Sequence, residues 1–336
     1  MGEFELLARI RERLPADAPR IRLGSGDDAA ITVPEGATAT SVDALVDGVH
    51  FRREDATPAQ IGHKALATAL SDLAAMGAEA GEAYVVLGMP GDFGEDECVE
   101  LLEGMLALAT DTGTSIAGGD LTRSPTLFLS ITVVGHAPDA GELVSRGGAS
   151  PGDVLVLTGE IGAAASALEL LDNPKLDADF AFYPSIAPVK AKSARERLLR
   201  RQLEPTPRLA AGRALAAAGA TAMIDVSDGL GGDAGHVAAA SEVGLHIEAE
   251  ALPQAVGLDQ LAKALGEDPW RFVLGGEDYE LLASIPPQRL EEAIESVRDA
   301  EDIALTRIGE VVAGSGVEIR LPGGGLVEPG GFDQLA

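Results

Sequence analysis

Carboxylates in glycine-containing turns are the feature of this 336-residue chain that most suggests chemistry. Any one of them has an ordinary explanation, because Asp and Gly favour turns and Asp caps helices. Asp43 and Asp225, however, interrupt apolar, strand-like sequence, where an isolated charge is costly. Carboxylates that converge need counter-ions, and Mg²⁺ is typically bound by a few carboxylates together with substrate phosphates. The turns contain Asp27 and Asp28, Asp43, Asp72, Asp120, Asp225 and Asp228, and Glu277 and Asp278.

The common phosphate-binding and cation-binding motifs are absent or incomplete. The chain contains no G-x-x-x-x-G-K-[ST] sequence, which excludes a P-loop enzyme, and its acids do not alternate as an EF-hand requires. Residues 24–29 fit a loose G-x-G-x-x-A pattern, but two acids in that loop would repel a pyrophosphate. The segment 153–171 could present helix N-terminal amides to an anion, or it could contain an ordinary tight turn.

The sequence shows no pattern typical of a histidine metal site or of a catalytic nucleophile. The five histidines show no metal-ligand spacing, and no Ser–His–Asp set is apparent. His63 lies in a predicted helix and is interpreted as structural. His50 lies in the same loop region as Asp43, so it is the better candidate for a substrate contact. Cys98 lies among acids in a predicted helix, which disfavours a thiolate.

The elements that must position these residues alternate between helices and strands, which indicates an α/β protein. Glycines and a proline near 147–152 mark a domain boundary, giving domains 1–147 and 148–336. The stretch 172–207 contains prolines and a basic cluster from Lys190 to Arg201, and we expect it to be irregular. Helices are predicted over 58–76, 96–111, 163–171, 208–218, 229–243 and 287–298, and strands over 126–134, 153–158, 221–226 and 279–285.

The charge balance is strongly acidic, because 54 Asp and Glu against 25 Lys and Arg give a net charge of −29. Such a chain repels nucleic-acid phosphates, so we expect no nucleic-acid partner. An anionic ligand would have to bind together with cations. The acid load, the few lysines and the many small residues suggest adaptation to high salt, where surface repulsion is screened. The alternative is simply an acidic protein.

Cysteine content and hydropathy exclude further classes. A single cysteine allows no internal disulfide and no thiolate metal cage. No apolar run approaches the roughly 18 residues of a membrane span. The N-terminal sequence has acids among its apolar residues, unlike a signal peptide. We therefore expect a cytoplasmic protein without a membrane partner.

The motifs together resemble the thiamine-monophosphate kinase family, within the superfamily of aminoimidazole ribonucleotide synthetase, selenophosphate synthetase and a hydrogenase maturation protein. The resemblance runs nearly from end to end, and SDLAAMGA and GGEDYELL are its most specific motifs. It implies ATP-dependent phosphorylation of thiamine monophosphate to thiamine diphosphate. The other motifs are GEFELLARI, GSGDDAA, SVDALVDGVHF, IAGGDLTRS, SRGGASPGD, PTPRLAAGRAL and MIDVSDGL.

The resemblance also implies an architecture. Family members look like homodimers of two-domain α/β subunits. Their N-terminal mixed sheets pair into a barrel, and a C-terminal α/β domain completes the active site, which lies in a cleft between the domains and near the dimer interface. For this chain it implies ATP and Mg²⁺ binding by the first domain.

Individual roles are implied by the same motifs. The residues implied to be catalytic are Asp43, Asp120 and Asp228. The implied ligands of several Mg²⁺ ions are Asp28, Ser41, Val42, Asp43, Asp72, Asp120, Asp225 and Asp228. The implied ATP contacts are Gly119, Asp120, Arg146 and Ser227, and the implied substrate contacts are His50, Glu277 and Phe332.

The chain departs from the family pattern at three places. Where the family often has Ser-Thr-Asp, this chain has Ser41-Val42-Asp43, so Val42 could serve a metal only through its backbone carbonyl. Phe332 stands where a Tyr or Trp is also common, so a hydroxyl contact is lost. The segment 172–204 is longer than the usual connection, and we interpret it as a surface insertion.

The implied reaction agrees with the residues present. The acceptor is a phosphate monoester with a second pKa near 6, so it is a nucleophile at neutral pH without a strong general base. Two unit like charges 4 Å apart repel by about 4 kcal/mol at an effective dielectric near 20, and Mg²⁺ held by aspartates would remove that repulsion. We expect direct in-line transfer without a phosphoenzyme. The alternatives are another ATP-dependent synthetase of the superfamily, a non-catalytic Mg²⁺ and nucleotide-binding module, or an acidic surface mistaken for a site.

Overall fold

The structure, a computed structural model, divides the chain into two compact units with separate sheets. One unit comprises Met1–Leu73 and Ala78–Glu142, and the other comprises Ala74–Gly77 and Leu143–Ala336. Both units combine helices with a sheet, so the predicted two-domain α/β class is confirmed. The structure describes residues 3–14, 19–25, 28–173, 176, 188–321, 323–327 and 330–331.

Within the described residues, the first unit combines helices with a four-stranded sheet and a small two-stranded one. Its helices are α1 (Glu3–Arg11), α2 (Pro58–Ala75) and α3 (Glu95–Thr112), and its strands are β1 (Ile21–Leu23), β2 (Ile31–Thr32), β3 (Ala37–Val46), β4 (Glu79–Met89), β5 (Ser115–Arg123) and β6 (Phe128–Ala137). The order in the larger sheet is β3-β6-β4-β5. Because β4 and β5 are parallel and the other neighbours antiparallel, the sheet is mixed, as predicted.

Local signals explain where α2 begins and ends. The hydroxyl of Thr57 accepts a hydrogen bond from the amide of Gln60, and the side chain of Gln60 accepts one from the amide of Thr57. This reciprocal capping box satisfies two helix-terminal amides, and Pro58 suits the first turn. The helix gives way to Gly77, whose φ of +68° is a conformation that favours glycine.

The second unit carries a seven-stranded sheet among its described residues. Its helices are α4 (Ala163–Asp172), α5 (Pro188–Leu203), α6 (Leu209–Ala217), α7 (Leu230–Ser241), α8 (Leu258–Leu265), α9 (Trp270–Val273) and α10 (Leu290–Glu301). Its strands are β7 (Val154–Thr158), β8 (Ala222–Asp225), β9 (Gly244–Glu248), β10 (Leu281–Ile285), β11 (Leu305–Val312), β12 (Gly316–Arg320) and β13 (Leu326–Val327). The order β13-β12-β9-β11-β7-β10-β8 places β7 and β10, both fully buried, in the interior of the sheet.

The expectation of irregular structure over 172–207 is wrong for most of its described residues. Residues 188–203 form helix α5, and the buried Ala194 and Leu198 pack against Ala167 and Leu170 of α4. The interpretation of 172–204 as a surface insertion stays a prediction, and Arg197 and Arg200 of this helix are exposed. The apolar face of α5 is narrow and interrupted by basic residues, so the helical period is weak in the sequence.

Within the described parts of the chain, no helix combines the length and the apolar character needed to cross a lipid bilayer.

Candidate active site

Ser41, Asp43 and Asp72 form an acidic group in the first unit, which we call the β3–α2 group. Burial alternates along β3, so Ser41 and Asp43 share the more buried face while Val42 lies on the other. The Ser41 hydroxyl donates a hydrogen bond to a carboxylate oxygen of Asp72 on α2. The Asp43 carboxylate accepts a hydrogen bond of 2.7 Å from the amide of Ala44. The structure therefore brings these three predicted metal ligands to one face of the sheet.

Asp120 is not brought to this group within one chain. The sheet register aligns Asp43 with Gly119 across β6 and β4, and Asp120 lies in the next row, on the face that carries Val42. Two strands separate β3 from β5, so Asp43 and Asp120 are about 14 Å apart at the usual spacing of strands. Since Mg²⁺–oxygen bonds are about 2.1 Å, one ion cannot bind both carboxylates across that distance.

Asp43, Asp120 and Asp225 lie within strands and not in turns. Asp72 lies within α2, in agreement with the helix predicted over 58–76. Glycine next to acid suggested turns, but Gly119 serves a different purpose. A Cβ at Gly119 would lie 2.0 Å from the carbonyl oxygen of Val85, so the glycine permits close pairing of β5 with β4. Asp28 does lie in an exposed bend, between β1 and β2.

His50 is held in the turn that follows β3. Its Nδ1 accepts a hydrogen bond of 3.1 Å from the amide of Val46, and Lys64 donates to its carbonyl oxygen at 3.3 Å. The proton of a neutral imidazole is thereby assigned to Nε2. His50 can consequently donate from Nε2 to an acceptor on a ligand, which is consistent with its predicted role.

Asp225, Asp228 and Asp233 form a second acidic group, the β8–α7 group, in the other unit. Asp225 is buried at the end of β8. Asp233 accepts hydrogen bonds from the amides of Ser227, Asp228 and Gly229 at 3.1–3.2 Å, which fixes the turn. Burial, and then the charges of Asp225 and Asp228, raise the pKa of Asp233 to about 7. The negative charges of these three carboxylates therefore act on one another at this turn.

Sequence reasoning missed Asp233. Asp233 stands in the first turn of α7, four residues after Gly229, and acidic side chains near a helix N-terminus commonly accept hydrogen bonds from free amides. That position was the signal that could have identified it.

The Gly275–Glu280 loop packs directly on the turn of the β8–α7 group. A Cβ at Gly276 would lie 2.3 Å from the carbonyl oxygen of Ser227, so only glycine fits there. The amide of Glu277 donates to the same carbonyl at 2.7 Å. Glu277 and Tyr279 both have positive φ values, 64° and 52°, an uncommon conformation that persists when the surroundings enforce it. The structure therefore brings predicted ATP-binding and substrate-binding residues together.

The helix N-terminal amides of α4 are occupied by the protein itself. The Asp278 carboxylate accepts hydrogen bonds from the amides of Gly162, Ala163 and Ala164 at 2.6–3.2 Å. Burial raises the pKa of Asp278 to about 7, against the effect of these bonds and of Arg201. The open question about segment 153–171 is thus resolved, because the anion at this helix terminus is Asp278.

Glu280 is the centre of a buried ion cluster beneath the same loop. Its carboxylate accepts hydrogen bonds from Arg208 and Arg201 at 2.6–2.8 Å and from Thr158 at 2.6 Å. Burial alone would raise the pKa of Glu280, but the two arginines lower it overall. Arg208 also pairs with Glu301 at 2.9 Å. The cluster therefore joins β10 to α5, α6 and α10.

Arg146 lies exposed in the loop that precedes β7, in the same unit as the β8–α7 group. Its carbonyl oxygen accepts a hydrogen bond from Ser241 at the end of α7. The Ser241 hydroxyl in turn accepts from the amides of Gly148 and Ala149, each at 3.1 Å. The backbone around Arg146 is therefore fixed to α7, while its guanidinium stays accessible.

Two further expectations concern Cys98 and Phe332. Burial raises the pKa of Cys98 to about 11, so the expectation of an unreactive thiol is confirmed.

Phe332 lies outside the described residues. Its neighbour Gly331 packs on α7, because a Cβ at Gly232 would lie 3.0 Å from the Cα of Gly331.

The donor chemistry of both acidic groups suits Mg²⁺. Their side-chain ligands are carboxylate and hydroxyl oxygens, which this ion prefers. Within the ranges that the structure describes, no three His, Cys, Asp or Glu side chains are placed to hold a metal ion by themselves. Mg²⁺ characteristically keeps several waters and takes ligands from substrate phosphates, so the residues present fit an ion that binds with a nucleotide.

Comparisons with known proteins identify relatives over nearly the whole chain. Residues 26–137 match the N-terminal domain of the AIR synthase related proteins, and residues 150–322 match their C-terminal domain. A thiamine-monophosphate kinase of Mycobacterium tuberculosis is 40% identical over 288 residues, which are 84% of this chain and 80% of the relative.

Solved structures agree with the sequence comparison. The thiamine-monophosphate kinase of Stenotrophomonas maltophilia K279a has a TM-score of 0.81 and 37% identity, and the match covers 95% of this chain and 96% of that one. The complex of AaThiL with AMPPCP and TMP has a TM-score of 0.74 and 27% identity, with coverage of 98% and 96%.

Proposed function

The chain belongs to the thiamine-monophosphate kinase family of AIR synthase related phosphotransferases, and from this membership we propose that it transfers the γ-phosphoryl group of ATP to thiamine monophosphate. The products are thiamine diphosphate and ADP. One observation supports the proposal most: Asp225 and Asp228 lie together with Ser227 and Glu277, and the family motifs assign these residues to metal, ATP and substrate.

Charge accounts for the role of the two acidic groups. ATP and a phosphate monoester repel each other, and the charges of Asp225 and Asp228 add to the effect of burial in raising the pKa of Asp233. We assign Asp43 and Asp72, with Ser41, and Asp225 and Asp228 as the residues that hold Mg²⁺. When bound, Mg²⁺ supplies the positive charge that neutralises the phosphates and the charge developing in the transition state.

The chain's own residues bind and orient the two substrates. A phosphate oxygen of thiamine monophosphate attacks the γ-phosphorus of ATP, the bond from that phosphorus to the β,γ-bridging oxygen breaks, and ADP leaves. The acceptor is largely a dianion at neutral pH, so no side chain has to remove a proton. Arg146 and Ser227 contact ATP, and His50 donates from Nε2 to the acceptor substrate.

The product assay tests this proposal. Protein, ATP, Mg²⁺ and thiamine monophosphate are incubated at low and at molar KCl, and the nucleotides and thiamine phosphates are separated by chromatography. We expect equal amounts of thiamine diphosphate and ADP, and no ADP when thiamine monophosphate is left out. Higher activity in molar KCl is expected for a salt-adapted surface. ADP without thiamine diphosphate, or binding of ATP without any product, would contradict the kinase assignment.

We further propose that the first unit's sheet pairs with that of a second copy to form a barrel. The sheet has two edge strands, β3 and β5, and its face carrying Val42 and Val86 is exposed. Exposed edges and apolar faces are characteristic of surfaces that pair. Asp43 and Asp120 lie on the two edge strands, so pairing of β3 with β5 of a second copy would place these two strands side by side.

The variant Val42→Arg tests the dimer. Val42 is 65% exposed within one chain, and a buried arginine without a partner would oppose association there. We expect a monomer by light scattering, whereas wild-type protein is a dimer. The control Val256→Arg makes the same change at a valine that is 49% exposed in the other unit, and it should stay dimeric. A dimeric Val42→Arg protein would contradict this interface.

A further inference from the structure

Helix α5 has no part in the function proposed so far, yet its last turn contacts the loop that carries Glu277. Arg201 donates to the carbonyl oxygen of Asp278 at 2.8 Å and to the carboxylate of Glu280 at 2.6 Å. Gln202 donates from Nε2 to the Glu277 carboxylate at 2.7 Å. Two consecutive residues of one helix thereby hold three residues of the Gly275–Glu280 loop.

The surroundings of Gln202 indicate why an amide stands there. The side chain is only 3% exposed, and its Oε1 has no hydrogen-bond partner among the residues that the structure describes. A buried polar atom without a partner is destabilising, so an apolar side chain would suit the position better if packing were its only task. What an apolar side chain could not supply is the donor that faces Glu277.

A neutral donor has a specific consequence for Glu277. An arginine or lysine at this position would add a positive charge beside the carboxylate, whereas an amide fixes the direction of the carboxylate without adding charge. The backbone under Glu277 is fixed as well, by its positive φ and by the bond from its amide to Ser227. The loop and α5 together therefore hold the Glu277 carboxylate in a fixed direction. A carboxylate held in this way suits a cationic or N–H-bearing group of a ligand.

We propose that Gln202 is a positioning residue that orients Glu277 toward the cationic, amine-bearing part of thiamine monophosphate, so that α5 helps to determine acceptor specificity. This inference rests on the proposed function. It gives helix α5, which belongs to the segment 172–204, a role in binding the acceptor substrate. Arg201 supports the same loop through its backbone, and Gln202 acts on the side chain that meets the substrate.

Two substitutions test the inference. Gln202→Met keeps the volume and removes the donor, and we expect the KM for thiamine monophosphate to rise about tenfold or more, with the KM for ATP unchanged and kcat within about threefold. Gln202→Glu places an acceptor against Glu277 at pH 8. As the pH falls toward 6, the introduced carboxyl becomes protonated and can donate, so the ratio of its KM to the wild-type KM should fall.

The control is Arg200→Met, on the same helix turn at a side chain that is exposed and pairs only loosely with Glu204 at 3.6 Å. It should leave both KM values unchanged. If Gln202→Met shows no cooperative melting transition, it is not folded and its KM is not informative. The pH dependence of the KM ratio of Gln202→Glu then tests the positioning role by itself.

The outcomes separate the two claims. If wild-type protein forms no thiamine diphosphate, the proposed function fails and this inference fails with it. If wild-type protein is active and Gln202→Met has the wild-type KM for thiamine monophosphate, the positioning role alone is overturned. Equal increases in both KM values, or a KM ratio of Gln202→Glu that does not change with pH, would indicate a merely structural role and would also overturn it.

Discussion

Replacing Asp43 with Asn is expected to lower kcat for phosphoryl transfer by about 10²–10³-fold, with little change in thermal stability. The substitution keeps the shape of the side chain and removes one negative charge from the β3–α2 group, so an ion bound there loses a charged ligand. Several kcal/mol of transition-state stabilisation depend on such an ion, and each 1.36 kcal/mol corresponds to a factor of ten. Initial rates at saturating ATP and thiamine monophosphate, over a range of Mg²⁺ concentrations, measure the effect.

The matched control for this prediction is Asp111→Asn. Asp111 is an exposed acid at the end of α3 in the same unit, so the change in net charge is identical. It should retain the wild-type kcat and the wild-type dependence on Mg²⁺. A kcat of Asp43→Asn equal to that of Asp111→Asn would remove Asp43 from the site.

Replacing Glu280 with Gln is expected to destabilise the second unit by about 3–5 kcal/mol, because the buried Arg208 and the partly buried Arg201 lose their shared anion. Glu280 is fully buried and accepts hydrogen bonds from Arg201 and Arg208. For a unit of this size the change corresponds to a fall in Tm of about 6–20 °C. Differential scanning calorimetry measures it, provided that the transition of the second unit is resolved from that of the first.

An exposed ion pair provides the comparison. Glu292 pairs with Arg289 at 3.0 Å with both side chains about half exposed, and such pairs contribute little. Glu292→Gln should therefore shift Tm by no more than about 2 °C. If Glu280→Gln shifts Tm no more than this control does, the cluster does not stabilise the fold.

The sequence predicted best those elements whose ends are set by neighbouring residues. Helix α2 was expected over 58–76 and occupies Pro58–Ala75, because Thr57, Gln60 and Gly77 act locally. The strand expected over 153–158 occupies Val154–Thr158 for a similar reason, since an unbroken apolar run is itself the signal.

Elements defined by distant partners were harder to predict. Gly118, Gly119 and Asp120 suggested a turn, but they pair with β4 and lie inside β5, and only the tertiary structure shows the partner. The sequence of α5 does not predict a helix, because few apolar residues mark its buried face. Among its described side chains Ala194 and Leu198 are buried apolar residues, and their partners lie on α4.

The candidate site shows the same division. The residue types in the motifs were enough to single out Asp43, Asp225 and Glu277. No local pattern, in contrast, could place Asp120 three strands away from Asp43 in the sheet, or assign the amides of Gly162, Ala163 and Ala164 to Asp278. Those relations depend on strand order and on contacts between segments more than a hundred residues apart, which a single sequence does not encode in any local pattern.

The path of the phosphoryl group tests the central claim most directly. A single turnover is run with ATP labelled at its γ-phosphate, Mg²⁺ and excess thiamine monophosphate, and the label is followed at short times. We predict that it passes from ATP to the terminal phosphate of thiamine diphosphate, with no labelled protein at any time. Label that appears on the protein, or only in inorganic phosphate, would contradict direct transfer between the two substrates.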